Sequence, residues 1–367
     1  MAHPPRTLPV QRIWLSIGLS LQVLSLAHVA CAAGALPQGG AFAAGSGTIA
    51  GRGNSLVITQ PGSTRDVIDW NSFSIGPQNR VVFDNGSGAT LNCVTGGSPS
   101  LILGRLSATG SVYLINPQGV LVGPSGTIAT GGRFVASTLD AADAAFMAGG
   151  PLTLTGDSNA PVANLGKIDS SGGDVFLVSA QNVTNTITVD APNGTVEFAA
   201  GRAVLLQDSP SDRQVFVQTS SGGSILDAGM TRAAQISLQA VDGNVYALAD
   251  GGARIRATGT GTRDGHLWLL AGNGQVYQQG TLTASSTGGT GSGNSTVTTQ
   301  ASNIEFAADA VVEAAQWSLS TPAITIGADT ANALARSLDA NTAVNLSTTG
   351  GNGTSGDLQL RLEPDVA

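Results

Sequence analysis

Charge is scarce in this sequence, and so are the residues that most often carry chemistry. Asp, Glu, Lys and Arg together make up 11% of the 367 residues and aromatic side chains 4%, both low for a compact enzyme. Of three histidines and two cysteines, only His266 and Cys93 lie beyond residue 33, too few for a zinc centre or a disulfide framework. The formal net charge is −8, without the clustered Lys and Arg that nucleic-acid binding requires. What is plentiful is glycine, 50 residues, beside a 41% hydrophobic share that is too apolar for a disordered chain. Short Val, Ile and Leu runs set among Gly, Thr and Asn describe a β-rich repeat.

The N-terminus is set apart. Arg6 and Arg12 precede a predominantly apolar stretch from Ile13 to Val29, and Ala30-Cys31-Ala32-Ala33 supplies small residues for cleavage. That is the pattern of a secretory signal peptide over residues 1–33. A transmembrane anchor is the rival, but the stretch is short and interrupted by Ser. A lipoprotein site at Cys31 fits poorly, because His28 stands where such sites carry a small or aliphatic residue. Loss of residues 1–33 removes two Arg and no acid, taking the formal charge from −8 to −10, and leaves Cys93 as the one cysteine. A single thiol forms no internal disulfide, and Cys93 is expected to be a small buried core residue.

The most informative stretch runs from Ser100 to Thr138. Four apolar runs in it, Leu101–Leu103, Val112–Ile115, Val120–Val122 and Phe134–Val135, are separated by Gly, Pro, Asn or Ser and read as buried strands. Between the second and third lies Asn116-Pro117-Gln118-Gly119-Val120. Asn before Pro initiates a turn, Pro117 presets φ at the first central position, and Gly119 accepts positive φ.

Other motifs surround this corner in a fixed order: Gln60, VIDWNSFSIG (67–76), Val81-Val82-Phe83, LNCVTGG (91–97), SLILGRL, GSVYLINPQGVLVG and FVASTL. Together they resemble the haemagglutination-activity, or secretion, domain of filamentous-haemagglutinin-type exoproteins exported by two-partner secretion. The resemblance is dense from Leu36 to Met147 and weaker to about Ala284. NPQGV stands where that family has Asn-Pro-Asn-Gly-Ile. The family's second motif, Asn-Pro-Asn-Leu, is replaced by NGSGAT (85–90). The resemblance implies passage into the periplasm, binding to an outer-membrane transporter with periplasmic recognition domains, and release outside the cell or retention on its surface. It implies adhesive, haemagglutinin-like binding of a host-cell or glycan ligand. It also assigns Asn116, Pro117, Gln118, Gly119 and Val120 to secretion and turn formation rather than to catalysis.

Downstream, GGDVFLVSA (172–180), NGTVEFAAG (193–201), GGSILDAG (222–229), DGNVYALAD (242–250) and DGHLWLLAG (264–272) share a turn glycine and alternating apolar positions. Aligned as one series, their glycines at 173, 194, 223, 243 and 265 are 20 to 29 residues apart, a solenoid spacing. Val204–Leu206, Val215–Val217 and Ile236–Leu238 read as further strands of the same coils. A right-handed parallel β-helix is the expected fold; a β-sandwich would carry more aromatic core and no such repeat. Trp70 and Phe73 are expected to pack over a capped N-terminal end, with Arg65, Asp66 and Asp69 forming a cap salt bridge. Ala331, Leu334, Ala335 and Leu338 have helical spacing, and TLDAADAAFMAGG (138–150) allows a short helix. Residues 285–295 read as a Gly/Ser/Thr-rich loop. The chain thus divides into a signal peptide (1–33), the secretion domain (34–150), continuing coils (151–327) and a terminal helix with strands (328–367). Its end at Ala367 reads as a short member or a truncated gene.

Catalysis finds little support. After signal removal His266 is the only histidine; the repeat places it opposite Thr195 and Asn244, a solvent-facing position. Most acids fall at corners (Asp174, Asp190, Asp227, Asp242, Asp250, Asp264) and read as turn residues. The residues call for no catalytic group, no cofactor and no metal. Asn-x-Ser/Thr triplets at Asn85, Asn182, Asn193, Asn294, Asn345 and Asn352 read as corner composition before they read as glycan acceptors. The alternatives to an adhesin are a polysaccharide-degrading β-helix enzyme and, less well supported, an iron- or haem-capture exoprotein.

Overall fold

A computed structural model of the chain describes residues 36–62, 64–209, 213–260, 263–286 and 294–348, with the backbone of 357–360. The signal peptide, Cys31, residues 287–293 of the expected loop and Asn352 lie outside the described residues. Three stacks of strands wind into a right-handed parallel β-helix. One coil runs through Arg105–Ala108 on a first face, Ser111–Ile115 on a second and Val120–Val122 on a third, before Thr127–Thr130 returns to the first. Each strand pairs in parallel with the one a coil further on, Arg105–Ala108 with Thr127–Thr130 and Ser111–Ile115 with Phe134–Ser137. Inward side chains stack on their own kind: Leu106, Ile128 and Ile168 on the first face, Val112, Phe134 and Val175 on the second, Val120, Val162 and Val183 on the third. The narrow interior is filled by β-branched and leucine side chains, each stabilising by about 1.5–3 kcal/mol, so the fold needs few aromatics.

The glycine repeat has a cause, and it corrects the single-series alignment. A Cβ on Gly194 would overlap the carbonyl oxygen of Gly173, and one on Gly243 that of Gly223. The corners therefore stack backbone on backbone. Two such columns exist, however. Gly173, Gly194 and Gly265 precede second-face strands, whereas Gly223 and Gly243 precede third-face strands. The steps of 21 and 20 residues are true coils; the intervening one crosses from one column to the other.

Two excursions interrupt the coils. They build an antiparallel sheet from Asp140–Ala141, Leu152–Thr155, Ala203–Leu206 and Val215–Thr219. The expected coil strands at 204–206 and 215–217 thus belong to this outer layer; Ile236–Leu238 does lie in the helix. With helix α1 (Asp143–Ala148), which ends at Gly149, the layer covers the outside of the second face, burying Val135, Phe176 and Val178 against Leu154, Val204 and Phe146. A face buried on both sides needs apolar residues at consecutive positions, which is why VFLVS and VEFAA do not alternate cleanly.

The ends are closed. Ala41–Ala44 pairs antiparallel with Arg65–Trp70, and Thr48–Arg52 with Ser55–Thr59. Beneath them Trp70 meets Phe73 edge-on at 5.4 Å, and Phe73 stacks on Phe83 at 6.4 Å, as the expected cap requires. At the other end, helix α2 (Ala328–Asp339) buries Ala333 and Ser337, while Leu338 is 55% exposed. The packed side differs from the leucine stripe because Ser337 Oγ accepts the Val312 N–H at 2.9 Å, satisfying a terminal first-face strand.

Inside the helix, a polar ladder runs between the third and first faces. Asn164 Nδ2 donates to Asn185 Oδ1 at 2.8 Å, and Asn185 Nδ2 to Asp227 Oδ1 at 2.9 Å; the Thr231 hydroxyl donates to Asp227 Oδ2 at 2.7 Å. Asp227 is therefore a fully buried rung, not a solvated turn residue. Burial pushes its carboxyl up to about 6, although its hydrogen-bond donors oppose the rise. A carboxyl raised on folding contributes stability that is complete below its unfolded value near 3.8 and lost as pH rises through about 6. Asp227→Asn keeps an acceptor for Asn185 and turns an N–H to the Thr231 hydroxyl, which can accept it. Thermal unfolding should show the stability of wild type relative to the variant falling between about pH 4 and pH 7, by at most about 3 kcal/mol, beyond the fall both share from buried Glu197. Parallel curves for the two proteins would show that Asp227 does not titrate with folding.

Candidate functional site

The NPQGV corner joins second-face Ser111–Ile115 to third-face Val120–Val122. The Asn116 carbonyl accepts the Gly119 N–H at 2.9 Å, closing a turn around Pro117 and Gln118, and Gly119 takes φ +110°. The Asn116 side chain is fully buried and uses both ends. Its Oδ1 accepts the Gln118 N–H at 2.9 Å, while Nδ2 donates to the Ser98 carbonyl at 3.0 Å and Ser100 Oγ at 2.9 Å. Ser98 and Ser100 belong to the preceding coil, so one amide both shapes the turn and ties it backwards. Towards the next coil, a Cβ on Gly119 would stand 3.3 Å from the Pro161 carbonyl oxygen. The five residues are brought together but face different ways: Asn116, Gly119 and Val120 are buried, Pro117 and Gln118 exposed. Pro117 and Gln118 line an open cleft of about 680 Å³ with Thr138, Asp140, Asp157 and Ser158.

A second buried asparagine does the same work at NGSGAT and was missed as a site residue. The Asn85 carbonyl accepts the Gly88 N–H at 2.7 Å. Its Oδ1 accepts the Gly110 N–H at 2.7 Å, and its Nδ2 donates to Thr90 Oγ1 at 3.1 Å and to the Ser111 carbonyl at 3.0 Å. Asn85 is 1% exposed, which removes it as a glycan acceptor in the folded protein. The signal was present: an Asn opening a turn, Gly after it, and an apolar strand beyond. Asn193, Asn294 and Asn345 are exposed, and Asn182 is half-buried.

A charged knot fastens the outer layer. Arg133 Nη2 lies 2.7 Å from Asp174 and 2.6 Å from Asp208 and donates to Gln214 Oε1 at 2.9 Å; its guanidinium sits over the Phe176 ring. The two carboxylates and the Tyr113 oxygen hold Arg133 firmly protonated against the opposing effect of burial. Beside it, Glu197 accepts the Gln214 and Val215 N–H groups at 2.6 and 3.1 Å, and burial pushes its carboxyl up to about 8. Asp174 is thus a buried anchor rather than a turn residue. These groups use one another's hydrogen-bonding capacity, and the arrangement anchors the layer rather than offering a reacting atom.

Three other expectations change. Arg65 and Asp66 form no cap salt bridge: no ion pair joins Arg65, Asp66 and Asp69 among the described residues. Neighbours in a strand point to opposite sides, so Arg65 lies over the Phe146 ring at 5.0 Å and Asp66 accepts the Ser46 N–H at 3.3 Å. Burial raises the Asp66 carboxyl. His266 is half-buried, stacked on Trp268 at 5.2 Å and hydrogen-bonded to Thr296 Oγ1. Its register runs through Gln235 to Thr195, a fully buried position, while Asn244 lies on another face. Cys93 is half-buried against the outer cluster; burial, with Asp143, Asp140 and Asp69 nearby, pushes its thiol up to about 12. Among the described residues, no group of three His, Cys, Asp or Glu side chains could hold a metal ion.

Comparison with known proteins places these corners in context. The TPS secretion domain family model matches residues 33–251. A heme/hemopexin-binding protein of Haemophilus influenzae is 30% identical over 225 residues, 56% of this chain and 24% of that protein. A second protein of that name from H. influenzae is 40% identical over 89 residues, 24% of this chain and 9% of the other. The matched chain therefore spans a quarter or less of these relatives. The secretion domain of HMW1 from H. influenzae shares the fold, with TM-score 0.53 and 20% identity over 90% of this chain and 97% of that one. The filamentous hemagglutinin secretion domain aligns over 89% and 99% of the two chains with TM-score 0.43 and 14% identity.

Asn116→Ala would leave the buried Ser100 hydroxyl without its donor and break the half-buried bonds to the Ser98 carbonyl and the Gln118 N–H. At about 1–3 kcal/mol for a buried polar group left unsatisfied, the mature protein is expected to lose roughly 1–3 kcal/mol in urea unfolding. A loss below about 0.5 kcal/mol, the range of an ordinary surface substitution, would mean that the amide does not hold the corner.

Proposed function

The chain belongs to the TPS secretion domain family, and from that premise we propose that it is the exported partner of a two-partner system. It enters the periplasm behind its signal peptide, is taken up by an outer-membrane transporter with periplasmic recognition domains, and leaves the cell. The observation that carries this reading is the family match over residues 33–251, which includes both buried asparagine corners. Strand-rich segments of an incompletely folded chain can add to exposed sheet edges of recognition domains by β-augmentation. Asn116, Pro117 and Gly119 then serve export by closing a turn that needs only local contacts, so that coils form outside in the right register. In this reading the protein acts without catalysis, its buried ionisable groups being taken up by structural hydrogen bonds, and a glycan-degrading alternative would reveal itself as activity on polysaccharides.

Outside the cell, the function we favour is adhesive binding at a surface, the role the exoprotein resemblance implies and one suited to a long stacked solenoid. A haem-capture reading draws on the name of the H. influenzae relatives, but the matched stretch is a minor part of them. The described residues here include one histidine, His266, held by Trp268 and Thr296.

Export should be assayed in a host with and without the cognate transporter, sampling medium, surface and periplasm. Wild type is expected outside the cell only when the transporter is present. Asn116→Ala and Gly119→Val are expected to accumulate in the periplasm with the signal peptide cleaved. Normal export of both variants, or transporter-independent release of the wild type, would sink the assignment.

A further inference from the structure

Basic residues that lie far apart in sequence gather on one face of the folded chain. Six of the 16 Lys and Arg, namely Arg80, Arg105, Lys167, Arg232, Arg254 and Arg256, stand exposed on the outside of the first face. Register makes a row of them. Arg80 lies opposite Arg105, which continues through Thr127 to Lys167, then through Thr188 and Met230 to Arg254. Arg232 and Arg256 are paired beside it. The first hairpin extends the row, placing Arg52 next to Ser55, whose parallel partner is Arg80. At about 4.8 Å per rung, Arg80 to Arg254 is six rungs, roughly 29 Å.

Like charges directly opposite one another in a sheet are destabilising, yet Arg80 and Arg105 occupy adjacent rungs. Two of the six are paired with acids, Lys167 with Asp169 at 2.9 Å and Arg232 with Asp190 at 2.7 Å, and Asp84 and Glu313 stand exposed towards the two ends of the face. Among the described residues no ion pair involves Arg80, Arg105, Arg254 or Arg256. This occurs on a chain whose net charge is −8, so the row is a local reversal of sign.

We propose that this face binds a linear acidic polysaccharide, one that carries carboxylate or sulfate groups at intervals along an extended chain. Exposed guanidiniums present a planar fork that matches carboxylate and sulfate oxygens, and single-file spacing along the helix axis suits a polymer rather than a compact anion. The residues between the basic ones are Thr127, Thr188 and Met230, with no aromatic in the row on which nucleic-acid bases could stack. The exposed large apolar side chains here, Ile187 and Met230, form a small pair rather than the broad apolar side a membrane-lying surface needs. The inference rests on the adhesive reading, for which it names a ligand class, but the binding itself needs no transporter.

Purified mature protein should be tested against immobilised heparin and alginate, with dextran, duplex DNA and phosphatidylglycerol vesicles as comparators. Binding to heparin or alginate that weakens with salt, with none to dextran, is expected. Arg80→Glu combined with Arg105→Glu should weaken it about tenfold or more, as expected when one charge-assisted hydrogen bond is removed. Arg80→Gln with Arg105→Gln should do so in the same direction with an unchanged melting temperature. Arg202→Glu, an exposed change in the outer layer, should leave binding unaltered. Equal weakening with Arg202→Glu, tighter binding to DNA or vesicles, or no binding to either polysaccharide would overturn the proposal, whatever cell adhesion shows. Polysaccharide binding by wild type that the double variant loses, with no adhesion of cells by either protein, would uphold this surface and count against the adhesive reading alone.

Discussion

The whole architecture depends on how backbone polar groups are satisfied where a coil turns. Strands in a parallel stack satisfy one another, but a corner breaks the ladder while remaining packed between the coils on either side. An unpartnered buried amide costs about 1–3 kcal/mol, and a helix of stacked coils meets that cost again at every turn. Asn116 and Asn85 meet it with one side chain each, because a carboxamide offers an acceptor and two donors on a short stem. In the ladder from Asn164 through Asn185 to Asp227, the same chemistry runs from coil to coil. At the remaining corners glycine solves a different problem, close stacking of backbones, as at Gly173 beneath Gly194.

A second constraint is the width of the coil. An interior that admits one layer of Val, Ile and Leu buries limited apolar area per residue, and the chain adds to it by covering the second face from outside. The excursions occupy the two places where the step between aligned second-face residues nearly doubles, from Phe134 to Val175 and from Val196 to Ile236. The outer layer so formed is locked by the desolvated ion pair of Arg133 and Asp174, with the buried Glu197 carboxyl accepting from its backbone beside them. Breaking such a set by removing one member leaves uncompensated charge behind, so the knot favours one placement of the layer over others.

Much of the coil was legible in the sequence. The runs 112–115, 120–122 and 134–135 are strands, the turn at Asn116 has its expected hydrogen bond, and Trp70 and Phe73 close the N-terminal end. What escaped was whatever depends on which coil meets which. The glycines at 194 and 223 look alike along the chain but sit on different corners. Val204 and Val215 have strand residues and turn spacing like any coil strand, and only tertiary pairing places them in an antiparallel layer. Asp227 reads as Asp in an ordinary corner until Asn185 and Thr231 are seen around it. Asn85 carried the same syntax as Asn116, yet without proline it resembled a glycan triplet. The row of arginines is invisible for the same reason, since its members are separated by whole coils.

The two asparagine corners also differ in direction. Asn116 reaches back, to Ser98 and Ser100, whereas Asn85 reaches forward, to Gly110 and Ser111. In a chain ordering from its capped N-terminal end, the corner at Asn85 is incomplete until the coil that follows it arrives. The Asn116 side chain is satisfied as soon as its corner forms, because Ser98 and Ser100 are already in place, and only its backbone N–H waits for the Ser137 carbonyl of the next coil. Between them they span the same junction from both sides: the coil begun after Asn85 is the one whose end Asn116 ties down. Contacts of this kind join residues only 16 to 26 positions apart, short enough for each coil to close on the one before without waiting for distant chain. On the proposed export route, in which the chain crosses a membrane before it folds, that locality is a gain, since every completed coil is held by contacts already made.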